Sequence, residues 1–201
     1  MPNWCSNYVR IICKSNEDAQ KVSETLCKWM DADEDNDTDF GKKWLGKFLI
    51  QAGVVDRDSI NSVNIGCRGW VDWIEPDFNE VRVETQTAWG PQINMWKLIA
   101  DRHWPGVVKE ILYDAVEPGS EIYWTNDPDL LNEPHYIVRA DELDQDPLAE
   151  SDLTDYLTDL LRRNGIEPDK TDPESLQEEV KKCGIDMEIN KYEYVDIEEC
   201  V

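Results

Sequence analysis

Residues 7–14 read NYVRIICK. In an extended chain Tyr8, Arg10 and Ile12 fall on one side and Val9, Ile11 and Cys13 on the other. A strand with apolar groups on both sides belongs in the interior of a sheet, so this segment predicts the central strand around which the rest assembles.

Working outward, residues 17–30 (EDAQKVSETLCKWM) place Ala19, Val22, Leu26, Trp29 and Met30 on one helical stripe. Ser15 or Asn16 can cap this helix, and Glu17 and Asp18 suit the positive end of its dipole. Asp31, Asp33, Glu34, Asp35, Asp37 and Asp39 then predict a solvated acidic loop. Trp44, Leu45, Phe48, Leu49 and Ala52 predict an extra short helix that stops at Gly53.

Residues 68–90 read as a hairpin whose better strand is 81–87, with Val81, Val83, Thr85 and Thr87 on one face and Arg82, Glu84 and Gln86 on the other. Pro91 opens a second helix through Trp104, with Ile93, Trp96, Ala100 and Trp104 as its stripe. Pro105-Gly106 ends it, a strand follows at 107–116, and the Pro118-Gly119 turn predicts antiparallel pairing with EIYW at 121–124. The order is strand, helix, strand, strand, helix, strand, with the helices on one sheet face. This predicts an α+β fold, a ferredoxin-like split β-α-β-β-α-β sandwich over residues 1–145, carrying the acidic loop and extra helix near 31–60 as an insertion.

Residues 146–201 are expected to form an acidic helical and strand extension. HYIVRA at 135–140 reads as an edge strand just before it. Leu153, Tyr156, Leu157, Leu160 and Leu161 form a stripe that ends with Arg162, Arg163 and Gly165, the pattern of a helix and its C-terminal stop. A second helix begins with a Thr171/Glu174 capping box and turns Leu176, Val180 and Cys183 inward. Residues 186–199 alternate as a strand.

The chain of 201 residues holds 44 acidic against 20 basic side chains, a formal charge of −24, and nine Trp. The aromatic content argues against disorder, and the charge against a basic nucleic-acid binder. No apolar stretch is long enough to cross a bilayer, and MPNWCSNYVR has neither the basic nor the apolar region of an export signal. The six dispersed cysteines therefore read as reduced thiols in a cytoplasmic protein. The acidity is uneven, with a net −5 over residues 1–100 and −19 over residues 101–201. Such a field repels phosphate backbones and attracts basic protein surfaces. Asp152, Asp155 and Asp159 recur on one helical side opposite the leucines. Together with Asp144, Asp146 and Glu150 they are the expected partner-binding face.

The opening MPNWCSNYVRI and the later ETQTAWGPQINMW (84–96) resemble the YubB-like proteins of phages and plasmids, a family with a ferredoxin-like domain. Met1 through Cys5, Asn7, Thr87, Ala88, Trp89 and Pro91 match its pattern residue by residue, while Gly90 stands where Ser is commoner. The resemblance implies the split sandwich without iron–sulfur binding, and a mobile-element setting in which small acidic proteins disable host defence. The acidic C-terminal part departs from the family's usual tail.

Chemical motifs give little. Aligned as a calcium loop from Asp31, the acidic run puts Asn36 where Gly is required and Lys42 where Glu is required. His103 reads as a packing or capping residue and His135 as a surface one, with no oriented partner for either. Cys5 and Asn7 read as a plug satisfying buried backbone groups, since an acidic chain offers little to activate a thiol. No catalytic residue, metal or cofactor is expected. The expected function is a non-enzymatic acidic inhibitor that occupies a basic host surface, as a DNA mimic does. The alternatives are single-stranded nucleic-acid binding through a sheet face lined by Tyr8, Arg10, Trp70, Trp73, Trp89 and Trp124, and a small metal-dependent hydrolase.

Overall fold

The expected first strand forms as β1 (Trp4–Cys13), with Cys5, Val9, Ile11 and Cys13 buried on its inner side. The computed structural model describes residues 3–32, 40–60, 64–132, 135–140, 143–144, 148–169, 171–185 and 187–200, with 139–140 and 143–144 as backbone alone. The acidic loop expected at 31–39 falls outside these residues from 33 onward.

After β1 come α1 (Asn16–Asp31), α2 (Leu45–Gln51), β2 (Gly69–Asp77), β3 (Glu80–Ala88), α3 (Asn94–His103), β4 (Val108–Glu117) and β5 (Ile122–Thr125). The chain continues through α4 (Pro128–Asn132), β6 (His135–Ala140), β7 (Leu143–Asp144), β8 (Leu148–Ala149), α5 (Glu150–Arg163), α6 (Pro173–Lys182), β9 (Glu188–Lys191) and β10 (Glu193–Tyr194). It divides into two compact units, one made of Met1–Asp127 with Tyr194–Val201, the other of Pro128–Glu193. The division expected after residue 145 falls on undescribed residues inside the second unit.

In the first unit the sheet order is β10-β5-β4-β1-β3-β2. β1 is indeed interior, antiparallel to β3 on one side and β4 on the other. Val9 stands opposite Val83 and Tyr113, and Ile11 opposite Val81 and Ile111, so the three strands present one apolar layer. Ala19, Val22 and Leu26 of α1, Phe48 and Leu49 of α2, and Trp96 and Ile99 of α3 pack on that layer. At Gly69, a Cβ would lie 1.9 Å from the Gln86 carbonyl oxygen, so only glycine lets β2 approach β3 there.

The helix ends follow capping chemistry. Ser15 Oγ accepts from the Asp18 amide at 3.2 Å at the start of α1. At its end the fully buried Lys47 of α2 donates from Nζ to the carbonyls of Ala32 (2.7 Å) and Met30 (3.1 Å), satisfying groups the helix leaves open.

The second unit has its own sheet, in which β6 pairs antiparallel with β7, β8 and β9. Its core is Val138, Leu153, Leu157, Leu161, Leu176, Val180 and Met187. Among the described residues no helix is long and apolar enough to cross a membrane.

The fold is a mixed α/β one with interleaved helices and a multi-stranded sheet, with more strands and helices than a simple β-α-β-β-α-β sandwich. Residues 135–140 form an interior strand rather than an edge, because β7 and β8 fold back on one part of it and β9 returns beside it. Residues 186–199 are not one strand: β9 joins the second sheet, β10 the first, and Ile197–Glu199 is a 3-10 turn. α6 is capped by Asp172, which accepts from the Ser175 amide at 2.9 Å, in place of Thr171. Cys183 sits exposed at the end of that helix instead of facing inward.

Candidate functional site

α5 shows how the leucine pattern fixes the acidic one. Leu153, Leu157 and Leu161 are buried in the second core, and Asp152, Asp155 and Asp159 are exposed. At about 100° per residue, the three aspartates span roughly 60° of the helix circumference, opposite the leucines. Among the described residues none of the three makes an ion pair. Arg162, in the last turn, is turned to Glu167 at 2.9 Å.

The other expected docking residues do not join this row. Glu150 is exposed but lies on the leucine side, where its Oε2 accepts from Tyr136 Oη at 3.5 Å. Asp144 ends β7 opposite Arg139 in register. Asp146 lies outside the described residues.

The face of the first sheet away from its helices has a different character. Trp4, Ser6, Tyr8 and Arg10 point to it from β1, and the strand register sets Gln86, Glu84 and Arg82 of β3 beside the last three. Val116, Asp114 and Leu112 of β4 flank the same residues on the other side. Trp4 and Trp70 meet at 4.6 Å between ring centroids, Phe40 stacks on Trp70 at 5.8 Å, and Tyr8 meets Trp73 edge-on at 6.2 Å. A cleft of about 180 Å³ lies over the centre of this face, lined by Ser6, Asn7, Tyr8, Glu84, Thr85, Gln86, Asp114 and Val116.

Below the cleft Arg10 and Arg82 stand directly opposite each other, a repulsive pairing that carboxylates relieve. Arg10 donates to Glu80 (3.1 Å) and Asp127 (2.6 Å), and Arg82 to Glu80 (2.7 Å) and Asp77. Burial pushes the Glu80 carboxyl up, but the hydrogen bonds and charges of Arg82 and Arg10 outweigh it and hold the group below its usual range.

Of the aromatics expected on this face, Tyr8, Trp70 and Trp73 are there with Arg10. Trp124 instead packs against the first core. Trp89 lies beyond the end of β3 with φ of 67°, 56% exposed, and the Arg68 guanidinium sits 4.5 Å over its ring.

On the buried side, Asn7 Nδ2 donates to Thr87 Oγ1 (2.8 Å) and the Cys5 carbonyl (3.0 Å) and also reaches the Thr85 carbonyl (3.3 Å). This is the plug expected of the opening motif. Burial pushes the fully enclosed Cys5 thiol up to about 12, so it stays protonated at neutral pH. His103 is exposed and edge-on to Trp29 and Trp104 at 4.8 and 5.1 Å, a packing role. Among the described residues, no three of His, Cys, Asp and Glu converge as metal ligands.

Glu84 and Asp114, which flank Tyr8 in the cleft, were not singled out by sequence reasoning. Each points outward in an alternating strand, but only strand register brings them to one ring. Compared with known proteins, the chain matches no family model, no curated protein and no solved structure.

Proposed function

We propose that the protein is a non-enzymatic, cytoplasmic interaction protein of a phage or other mobile element, which inhibits a host defence or nucleic-acid-binding protein by occupying its basic surface. The observation that carries this reading is the row Asp152, Asp155 and Asp159, exposed and, among the described residues, without ion pairs, on a helix fixed by buried leucines. Rigid carboxylates steer a basic partner and set its register, while aromatic contacts supply most of the binding energy. The first unit is read as a ferredoxin-like sandwich of the YubB-like type, with α2, β5 and β10 as additions. Its β4-β1-β3-β2 order and the helices packed on one sheet face support that reading.

The test is affinity capture of host proteins by the wild-type chain and by a variant with Asp152, Asp155 and Asp159 changed to Lys. Charge reversal is expected to abolish capture of the partner at about 50 mM salt and to matter far less at about 500 mM. Equal capture by both proteins at low salt would reject this face.

A second reading, single-stranded nucleic-acid binding by the sheet, is favoured by the convergence of Tyr8, Arg10, Trp70 and Trp73 on one face. Fluorescence anisotropy with short labelled DNA and RNA at low salt tests it, and micromolar affinity would place it first.

A further inference from the structure

A cavity of about 260 Å³ opens between α3, the first residues of β4 and the closing 3-10 turn, all within the first unit. Ala100, Ile111 and Ile197 belong to the first core yet remain 6–8% exposed, and all three line this cavity. β5 pairs with β4 only over Asp114–Glu117, so the lining stretch Val108–Ile111 has no strand on that side among the described residues. On its other side the register passes from Ile12 opposite Glu110 to Cys13 opposite Val108, which leaves Lys109 as the extra residue of a bulge. A regular strand sends adjacent side chains to opposite faces, but here both Lys109 and Glu110 line the one cavity. Both are exposed, and among the described residues neither makes an ion pair or a side-chain hydrogen bond. The α3 wall differs, because Lys97 already donates to Glu198, with Asp101 four residues along also acting on it.

We infer that this cavity binds a free apolar α-amino acid, with its side chain against Ala100, Ile111 and Ile197, its carboxylate toward Lys109 and its ammonium toward Glu110. Three features select that occupant. Neighbouring open charges of opposite sign call for a ligand that carries both signs close together, and a zwitterion holds them on one carbon. A plain carboxylate would be set against Glu110, and a plain amine against Lys109. The size agrees, since an apolar cavity of about 150 Å³ accepts benzene, which leaves room here for a ring or branched chain and its two charged groups. Because Ile197 comes from the returning C-terminal residues, the bound ligand ties that turn to α3 and β4. This adds a small-molecule site to the proposed interaction protein and rests on the first unit alone, so failure at the α5 row leaves it standing.

The test uses the full chain and three probes that share one ring and differ in charge: L-phenylalanine, 3-phenylpropionate and 2-phenylethylamine. Titrations are followed at the indole N–H resonance of Trp104, which also lines the cavity. L-phenylalanine is expected to bind about five-fold tighter than either singly charged probe. Lys109→Gln should remove its advantage over 2-phenylethylamine, and Glu110→Gln its advantage over 3-phenylpropionate. Lys21→Gln, which deletes an exposed ammonium of α1 outside the cavity, should leave both advantages in place. A singly charged probe that binds as tightly as L-phenylalanine, equal effects of Lys21→Gln and Lys109→Gln, or a Trp104 resonance unmoved by all three probes at about 10 mM would overturn the assignment.

Discussion

The two units carry the same formal charge, −12 each, but the first spreads it over 135 residues with 25 acidic and 13 basic side chains, and the second concentrates it in 66 residues with 19 and 7. They also differ in what lies beneath the charge. All nine Trp belong to the first unit, whose sheet sets carboxylates against arginines, whereas the second unit's core is aliphatic, with a row of exposed aspartates on α5 that make no ion pair among the described residues. Acidity alone is therefore a poor guide to function. Whether a carboxylate already has its cation separates a face that is satisfied from one that is open to a partner.

The largest expected effect falls on the smaller core. Leu157→Ala removes a fully buried side chain from the second unit, and such deletions cost about 2–5 kcal/mol. Because no Trp reports on that unit, the part of the helical circular-dichroism signal that α4, α5 and α6 contribute should be lost at lower urea, as a separate early phase, while Trp emission keeps its wild-type midpoint. Movement of both signals together would show that the two cores melt as one and would break the comparison.

A smaller effect is expected in the first unit. Asn7→Ala leaves Thr87 Oγ1 and the Cys5 carbonyl without their buried donor, a loss of about 1–3 kcal/mol. Here the Trp emission midpoint should move. An unchanged midpoint would mean that the opening motif is not held in place by its polar plug.

The smallest effect concerns pH. Glu80 is held below its usual carboxyl range in the folded chain, so its pairing with Arg10 and Arg82 contributes at neutral pH and is lost as pH falls below about 4.5, through the depressed folded value. For a partly exposed network this amounts to no more than about 1 kcal/mol. Glu80→Gln should flatten that part of the acid limb in Trp-detected urea melts between pH 7 and pH 3. An acid limb that keeps its wild-type slope in the variant would remove the distinction drawn between satisfied and open carboxylates.

Much of the first unit could be read from periodicity, because β1, β3 and α1 each bury residues at a spacing visible within ten to fifteen positions. The row on α5 was legible for the same reason, since the leucines fix which aspartates face out. Glu150 was grouped with them by nearness in sequence, although helical geometry carries it to the opposite side. The interior position of β6 was hidden, because its partners β7, β8 and β9 arrive from positions up to about fifty residues away. The cleft around Tyr8 was hidden more deeply, because Glu84 and Asp114 lie far from it along the chain and only register gathers them. The cap at Asp172 shows the local limit, where two adjacent polar side chains compete and backbone geometry chooses between them.

The first unit is not continuous in sequence. Residues 194–200 return to it, with Val195 donating to the Thr125 carbonyl at 3.0 Å, Tyr113 Oη donating to the Val195 carbonyl at 2.8 Å, and Cys200 buried beside that hydroxyl. During vectorial synthesis the ribosome must deliver all 66 residues of the inserted unit before this closing segment appears, a delay on the order of several seconds. Until then Tyr113 lacks its acceptor and the layer beneath it stays open, so the nascent chain has to shelter an unfinished host while its guest is made.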